Sequence, residues 1–322
     1  MTASTPRGFR TEPDPAVTSA SRVPTPPEFK ALDRQAGWLV VNRWTYRPLR
    51  ALSGLILPKA DLSGVQVTDE PTVGQGVKVV RPDEVGGDGA VLLIHGGGYV
   101  LGSNDETVGW AAKLARESGV PVFCPAYRLG PEDPFPAGLD DCHDAWTWLI
   151  GNASRFGVDP DKVVVGGISA GGGLAAGLVQ RLHDQGGIQP SGQLLVYPML
   201  DDTTATRHEL DSPRHRVWSN ANNRFGWTGY LGHAPGQPSP PYAVPASRED
   251  LSGLPPAWVG VGTADLFLDE DREYARRLTE EDVEVDFVEI DGAIHGFNMA
   301  EDSPLAEAFD AAAVEFVRRR TT

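Results

Sequence analysis

The stretch VVVGGISAGGGLAAGL, residues 163–178, joins two different kinds of secondary structure. Its valines are typical of a buried β-strand, whereas GLAAGLVQRL, residues 173–182, is typical of a helix. A strand that turns into a helix at one residue holds that residue in a strained conformation. The crowding this causes favours glycine two positions before and after it, and residues 167–171 are such a G-x-S-x-G elbow. We therefore expect Ser169 to stand above a sheet as a nucleophile, at a helix N-terminus that favours negative charge.

From about residue 63 the chain alternates short apolar runs with amphipathic segments. This alternation is typical of a mostly parallel sheet with helices on both faces. No helical segment separates the first two runs, so we expect them to form an antiparallel hairpin at a sheet edge. The predicted strands are VQVTD (65–69), GVKVVR (76–81), AVLLIH (90–95), VPVFCPAY (120–127), KVVVGG (162–167), GQLLVYP (192–198), AWVGVG (257–262) and VEVDFVEI (283–290). The predicted helices are ETVGWAAKLARESG (106–119), DDCHDAWTWLIGNASRFG (140–157), GGGLAAGLVQRLHDQGG (171–187), DEDREYARRLTEED (269–282) and PLAEAFDAAAVEFVRRR (304–320).

Two aromatic segments, residues 27–60 and 203–241, interrupt this alternation. Ligands of open α/β sheets bind beyond the carboxyl ends of the strands, so we expect both segments to cover that site as a cap. The alternative is that their aromatic side chains fill ordinary core. The first 25 or so residues are rich in Pro, Ser and Thr, which predicts a loosely ordered arm.

The composition argues against several classes of function. A formal net charge of −16 disfavours binding to nucleic acid and to anionic membrane surfaces. No apolar run of about 18 residues and no N-terminal apolar signal region occur, so we expect a cytoplasmic protein without membrane insertion. The two cysteines, Cys124 and Cys142, lie in strand-like and helix-like runs and indicate no disulfide framework. No histidine lies near either at metal-ligand spacing, so we expect no metal site.

An activated serine needs a base and a group that orients the base. His295 directly follows the last predicted strand in DGAIHGF, between two glycines. Asp265 follows the preceding strand in GVGTADLFLDED. The chain order Ser169, Asp265, His295 is that of the α/β-hydrolase triad. Asp269 is the alternative acid, but it begins the next predicted helix and resembles an N-cap.

The segment LLIHGGGYVLG, residues 92–102, predicts an oxyanion hole. Its glycines follow a predicted strand and leave the backbone uncrowded. We expect the amides of Gly97 and Gly98, together with that of Ala170, to face the carbonyl oxygen of a substrate. His95 is expected to order this loop.

Six motifs recur together from about residue 65 to the C-terminus: HGGGY (95–99), YRLGPEDPFPAGLDD (127–141), GISAGGGLAAGL (167–178), YPMLDD (197–202), DLSGLPPAWVGVGTADLFLDED (250–271) and HGF (295–297). In combination they resemble the hormone-sensitive-lipase-like family of bacterial carboxylesterases. Ile168 departs from the family, which commonly carries a polar residue before the nucleophile.

The resemblance implies an α/β-hydrolase fold with an eight-stranded core and a helical cap. It implies an N-terminal arm with cap helices in residues 1–60, a catalytic core in 61–202 and 242–322, and a cap insertion in 203–241. It further implies hydrolysis of short-to-medium-chain acyl esters through an acyl-enzyme, with no cofactor. Many members of the family dimerise, so a homodimer is expected.

Two other functions remain open at this stage. An arylformamidase or another amide-cleaving serine hydrolase would use a similar loop. A non-catalytic binding module is the other, because plant gibberellin receptors resemble the family but lack the catalytic histidine, which is present here as His295. Tyr99, Trp218 and Phe225 are expected to line an apolar substrate pocket, with structural packing as the alternative for each.

Overall fold

The structure is a computed structural model that describes residues 6–21, 23–36, 39–56, 60–70, 75–211, 215–300 and 302–322. Within these ranges, one mixed sheet lies between two layers of helices. The strands are β1 (Phe9–Arg10), β2 (Val65–Glu70), β3 (Val77–Pro82), β4 (Ala90–Ile94), β5 (Val122–Pro125), β6 (Val163–Ile168), β7 (Gly192–Val196), β8 (Ala257–Gly262) and β9 (Val285–Ile290). The helices are α1 (Lys30–Ala36), α2 (Tyr46–Ile56), α3 (Asn104–Ser118), α4 (Ala137–Phe156), α5 (Ala170–Gln185), α6 (Asn220–Leu231), α7 (Leu268–Glu280) and α8 (Pro304–Thr321).

The strands are ordered β1-β9-β8-β7-β6-β4-β5-β3-β2 across the sheet. From β5 to β9 every neighbouring pair is parallel. The strands β2 and β3 form an antiparallel hairpin, and β3 is also antiparallel to β5. The α/β-hydrolase fold, with a mostly parallel sheet and an edge hairpin, is therefore confirmed.

The N-terminal arm contributes a strand that sequence reasoning missed. Phe9 pairs with Ile290 and Arg10 with Glu289, which adds β1 antiparallel to β9. Arg10 also forms an ion pair with Asp291, with Nε 2.8 Å from Oδ1. The expected count of eight strands is wrong, because the described residues form nine. The arm is also not loosely ordered throughout, because unpaired backbone groups of β9 bind two of its residues.

The central strands are buried on both faces, which explains why their sequences are continuously apolar. In β4, Leu92 and Ile94 face one side chain cluster, whereas Val91 and Leu93 face the other. Helices α4 and α5 cover the first face, and α3 and α8 cover the second. Because all central strands are parallel, their carboxyl ends meet at one edge of the sheet, and the loops that carry the candidate site leave from this edge.

The two segments predicted to form a cap contact each other. The backbone N–H of Val41 donates to Oδ1 of Asn222 in α6 at 2.9 Å. The ring of Tyr46 in α2 lies 5.6 Å from that of Phe225 in α6, measured between centroids. The division of the chain into arm, core and cap insertion stays a prediction.

The packing on the face of the sheet that α3 and α8 cover can be tested at Phe309 in α8. Its ring is fully buried between Trp258 and Phe297, with centroid distances of 5.0 and 4.6 Å. We expect Phe309→Ala to lower the free energy of unfolding by about 3–5 kcal/mol in urea titrations, because it leaves a cavity. Val85→Ala, at a side chain that is 69% exposed, should change it by less than about 0.5 kcal/mol. Equal effects of the two substitutions would contradict this packing.

Candidate active site

Ser169 stands at the turn between β6 and α5 in a strained conformation. Its φ of 56° and ψ of −120° lie where side-chain-bearing residues rarely occur. A Cβ atom on Gly167 would overlap the carbonyl oxygen of Gly171, and one on Gly171 would overlap that of Ile94. The strained elbow predicted from the glycines is therefore present. It points the hydroxyl of Ser169 away from the strand, at the first turn of α5.

The three residues predicted to act together lie in one hydrogen-bonded row. The Nε2 atom of His295 is 2.9 Å from Oγ of Ser169, and its Nδ1 atom is 2.8 Å from Oδ2 of Asp265. Ser169 and His295 are each 6% exposed, and Asp265 is fully buried. Since a carboxylate only accepts, the hydrogen of the neutral imidazole lies on Nδ1, which leaves Nε2 to accept from the serine hydroxyl. This is the geometry of a Ser–His–Asp triad.

The structure distinguishes between the two candidate acids. Oδ1 of Asp265 accepts the backbone N–H of Phe267 at 3.0 Å, which leaves Oδ2 facing the imidazole. Asp269 instead accepts the backbone N–H of Ser19 at 2.8 Å and pairs with Arg207 at 2.9 Å. The expectation that Asp269 is an N-cap is wrong, because Phe267 precedes α7 and Asp269 lies inside its first turn. Asp269 therefore binds the N-terminal arm, whereas Asp265 binds the imidazole.

Two aromatic rings that sequence reasoning missed hold the imidazole of His295. The ring of Tyr197 lies 4.7 Å away and that of Phe267 5.3 Å away, both with their planes tilted steeply to the imidazole. The hydroxyl of Tyr197 donates to Oδ1 of Asn298 at 2.7 Å, which fixes this ring in turn. The position of Tyr197, directly after β7 at the carboxyl edge, was the available signal. These rings exclude water from the imidazole, and this strengthens its bond to the carboxylate.

The glycine-rich loop after β4 lies against the elbow. A Cβ atom on Gly96 would lie 3.4 Å from Cβ of Ser169, so a side chain there would crowd the nucleophile. Gly97 and Gly98 have φ values of 120° and 59°, in the region that favours glycine. In the described part of the chain, the N–H groups of Gly97, Gly98 and Ala170 donate to no protein acceptor. These three amides are therefore available to a ligand beside the hydroxyl.

His95 precedes these glycines and is held by its surroundings. Its ring stacks on that of Tyr127 at 4.1 Å, and its Nδ1–H donates to the carbonyl oxygen of Gly96 at 2.8 Å. The hydroxyl of Tyr127 donates to the carbonyl oxygen of His95 at 3.0 Å. Burial lowers the pKa of His95 to about 4, so the imidazole is neutral at pH 7. These contacts agree with the expectation that His95 orders the loop.

The three predicted substrate contacts lie in different surroundings. Trp218 lies directly on the glycine-rich loop after β4, where a Cβ atom on Gly98 would overlap its ring. Tyr99 is buried beneath the loop, where its hydroxyl donates to the carbonyl oxygen of Met199 at 2.9 Å. Phe225 packs against helix α2. The structure brings Trp218 to the site, whereas Tyr99 and Phe225 have packing contacts; binding of substrate by all three stays a prediction.

Both cysteines are buried and free. Among the described residues, no group of His, Cys, Asp and Glu is placed to hold a metal ion. No helix in those same ranges combines the length and apolarity that crossing a membrane requires.

Two glycine substitutions, one in the elbow and one in α4, test the close approach at the elbow. We expect Gly171→Ala to lower the free energy of unfolding by more than about 2 kcal/mol, because its methyl group would meet the carbonyl of Ile94. Gly151 is exposed inside α4 with open space around it, so Gly151→Ala should raise the same quantity by about 0.5–1 kcal/mol. Urea unfolding measures both, and a stable Gly171→Ala variant would argue against the close approach.

The burial of His95 makes the free energy of unfolding depend on pH. An unfolded histidine takes up a proton near pH 6.5, whereas folded His95 does so only at about pH 4. Between these values the unfolded state binds more protons, so acidification destabilises the fold, by up to about 3 kcal/mol from this residue. Urea unfolding from pH 7 to pH 4 should therefore show a smaller loss in His95→Gln than in the unsubstituted protein. If the free energy of unfolding fell equally with pH in both proteins, this would contradict a buried neutral imidazole at His95.

Comparison with known proteins identifies relatives over most of the chain. Residues 91–299 match a family model described as the alpha/beta hydrolase fold. The carboxylic ester hydrolase LipN of Mycobacterium tuberculosis is 34% identical over 242 residues, which cover 72% of this chain and 64% of LipN, just under two thirds of its length. An ethyl acetate hydrolase of Pseudomonas putida is 32% identical over 261 residues, which cover 78% of this chain and 81% of that enzyme.

Solved structures agree with these relatives. A bacterial heroin esterase is 32% identical, with a TM-score of 0.85, covering 92% of this chain and 98% of that one. The esterase LipW of Mycobacterium marinum is 30% identical, with a TM-score of 0.74, covering 95% of each chain. With the row of Ser169, His295 and Asp265 and the adjacent free amides, these matches show that the chain belongs to the hormone-sensitive-lipase-like carboxylesterase family of the α/β-hydrolase superfamily.

Proposed function

We propose that this protein is a serine carboxylesterase that hydrolyses short-to-medium-chain acyl esters through an acyl-enzyme. The observation that carries the proposal is the continuous row from Oγ of Ser169 through His295 to Asp265, at 2.9 and 2.8 Å. A hydroxyl becomes a nucleophile when an adjacent base accepts its proton and a third group orients that base. All three groups are nearly or fully buried, where such interactions are strongest.

In the first half-reaction, Oγ of Ser169 attacks the carbonyl carbon of the ester while its proton moves to Nε2 of His295. The carboxylate of Asp265 fixes the tautomer and stabilises the imidazolium that forms. The carbonyl oxygen becomes an anion, which the N–H groups of Gly97, Gly98 and Ala170 bind. The tetrahedral intermediate then collapses, and the alcohol leaves with the proton from Nε2.

In the second half-reaction, a water molecule attacks the acyl-enzyme and gives its proton to Nε2 of His295. The same three amides bind the second oxyanion. When this intermediate collapses, the carboxylic acid leaves and Oγ of Ser169 recovers its proton. One ester and one water thus give one acid and one alcohol, and the protein returns to its starting state.

Two observations support an ester with a small acyl group. The ethyl acetate hydrolase of Pseudomonas putida is named for such a substrate. In this chain Trp218 lies on the glycine-rich loop after β4, which we call the oxyanion loop, and Ser169 is 6% exposed, so access to the nucleophile is restricted. We therefore propose Trp218 as a wall of the acyl pocket, and the segments that hold α2 and α6 as its cap. A homodimer and a cytoplasmic location stay predictions.

Ser169→Ala tests the proposed nucleophile. We expect kcat/KM for p-nitrophenyl butyrate to fall by about 10⁴-fold or more, because the covalent step needs Oγ. Ser118→Ala removes another buried hydroxyl, which donates to the carbonyl of Leu114 within α3, and should retain activity within about twofold. Circular dichroism should show both variants folded. Full activity of Ser169→Ala would refute the assignment.

A substrate panel separates the proposed reaction from its alternatives. p-Nitrophenyl esters with C2 to C12 acyl groups should be hydrolysed faster than the matching anilides and N-formylkynurenine, with the optimum at short to medium chains. Faster cleavage of an amide would identify an amide-cleaving hydrolase. Failure of a fluorophosphonate to label Ser169 in the unsubstituted protein would identify a binding module.

A further inference from the structure

The oxyanion loop is anchored mainly by groups outside it. Gly97, Gly98 and Tyr99 have consecutive positive φ values, so this loop cannot form the regular hydrogen bonds of a helix or strand. Its internal backbone bonds run from the N–H groups of Val100 and Leu101 to the carbonyl of Gly97, at 3.2 and 2.8 Å, and the ring of His95 binds the carbonyl of Gly96. The orientation of its amides therefore depends on what holds its remaining carbonyl groups.

Two donors outside the loop bind the carbonyls of Tyr99 and Val100. The N–H of Gly130, in the segment after β5, donates to the carbonyl oxygen of Tyr99 at 3.0 Å. The Nε–H of Arg50, on helix α2, donates to the carbonyl oxygen of Val100 at 2.6 Å. Arg50 is thus a side chain of the predicted cap that contacts the oxyanion loop directly.

The same guanidinium also holds the other anchor. Nη2 of Arg50 donates to the carbonyl oxygen of Gly130, and Nη1 pairs with Oε2 of Glu132 at 3.0 Å. A planar guanidinium fixes several acceptors at once because its donors diverge at set angles, whereas an ammonium cannot. Arg50 therefore ties three chain segments together: α2, the oxyanion loop and the segment after β5.

We propose that Arg50 is a positioning residue for the oxyanion hole. By holding the carbonyl of Val100 and, through Gly130, that of Tyr99, it sets the direction in which the N–H groups of Gly97 and Gly98 point. This inference rests on the proposed function and adds to it a link from helix α2 to the stabilisation of the transition state. Oxyanion donors act only when they meet the charge that develops, so a displaced loop lowers kcat more than it raises KM.

Arg47 provides a matched control on the same helix. Its Nη2 atom contacts the same carboxylate, Oε1 of Glu132, at 3.1 Å. Its side chain is 72% exposed, whereas that of Arg50 is 25% exposed. Among the described residues, its hydrogen bonds reach only Tyr46 and Glu132. Substitution of Arg47 removes a cation from this cluster without removing a contact to the oxyanion loop.

The experiment compares Arg50→Met and Arg50→Lys with Arg47→Met and Arg47→Lys. It measures kcat and KM for p-nitrophenyl butyrate, and the inhibition constant of an alkyl trifluoromethyl ketone. The ketone adds to the serine as an oxyanion and so reports on the hole directly. For Arg50→Met we expect kcat to fall by about 10- to 100-fold, KM to change by less than about threefold, and the inhibition constant to rise in parallel with the loss of kcat/KM. Arg50→Lys should recover only part of this loss, and both Arg47 variants should stay within about twofold.

The outcomes are distinguishable. Rates are measured below the onset of thermal unfolding and divided by the number of sites that a fluorophosphonate titrates, so lost folding does not count as lost catalysis. If the Arg50 variants match the Arg47 variants, if only KM changes, or if ketone binding is unaffected, the inference is overturned and the proposed esterase remains. If the unsubstituted protein neither hydrolyses the ester nor is labelled, the proposed function itself has failed.

Discussion

The site depends on one steric constraint, the close approach of three backbone segments around Ser169. The φ of 56° at this residue is unfavourable by about 1–3 kcal/mol, so the surrounding structure has to hold it. No side chain fits at Gly167 or Gly171, because β6, α5 and β4 approach one another closely there. The lack of a side chain at Gly96 lets the oxyanion loop lie against Ser169. Because the parallel strands end at the same edge, the loops after β8 and β9 also bring Asp265 and His295 to this point. The arrangement of the triad thus follows from the sheet and the elbow together.

Most of the fold and the triad could be predicted from the sequence, but the reason differs between the strands and the individual side chains. All eight strands expected from the sequence are present, because the buried parallel strands have continuous apolar runs and β2 and β3 form the expected edge hairpin. The positions of Asp265 and His295 at the carboxyl edge follow from the strand order. The strand β1 could not be predicted, because two residues carry no periodicity and pair only once the edge of β9 exists. The contacts of Arg50 and Tyr197 were missed for a related reason. Each depends on segments far apart in the chain, and neither side chain belongs to a local motif.

The imidazole of His295 is held by neighbouring aromatic rings as well as by its triad partners. Tyr197 and Phe267 enclose His295, and the hydroxyl of Tyr197 is held by Asn298. Glu270, one turn beyond Asp265, is buried and accepts the N–H groups of Leu200 and Asp201 at 2.8 and 3.2 Å. Burial raises the pKa of Glu270 well above its usual range, so the uncharged carboxyl can be accommodated in this interior at neutral pH. The segment after β7 is in this way fastened to α7, the helix that follows the triad acid.

The pairing of β1 with β9 determines how the sheet meets its surroundings. An unpaired strand offers a row of hydrogen-bonding groups to any other polypeptide, and such an edge favours aggregation. On one side of this sheet the arm occupies that row at Phe9 and Arg10, whereas on the other side β2 is the outermost strand. At Glu289 and Ile290, another polypeptide could pair with β9 only after the arm had detached. Removal of the arm is therefore not neutral, because it would expose the backbone groups of Glu289 and Ile290 to pairing with other chains.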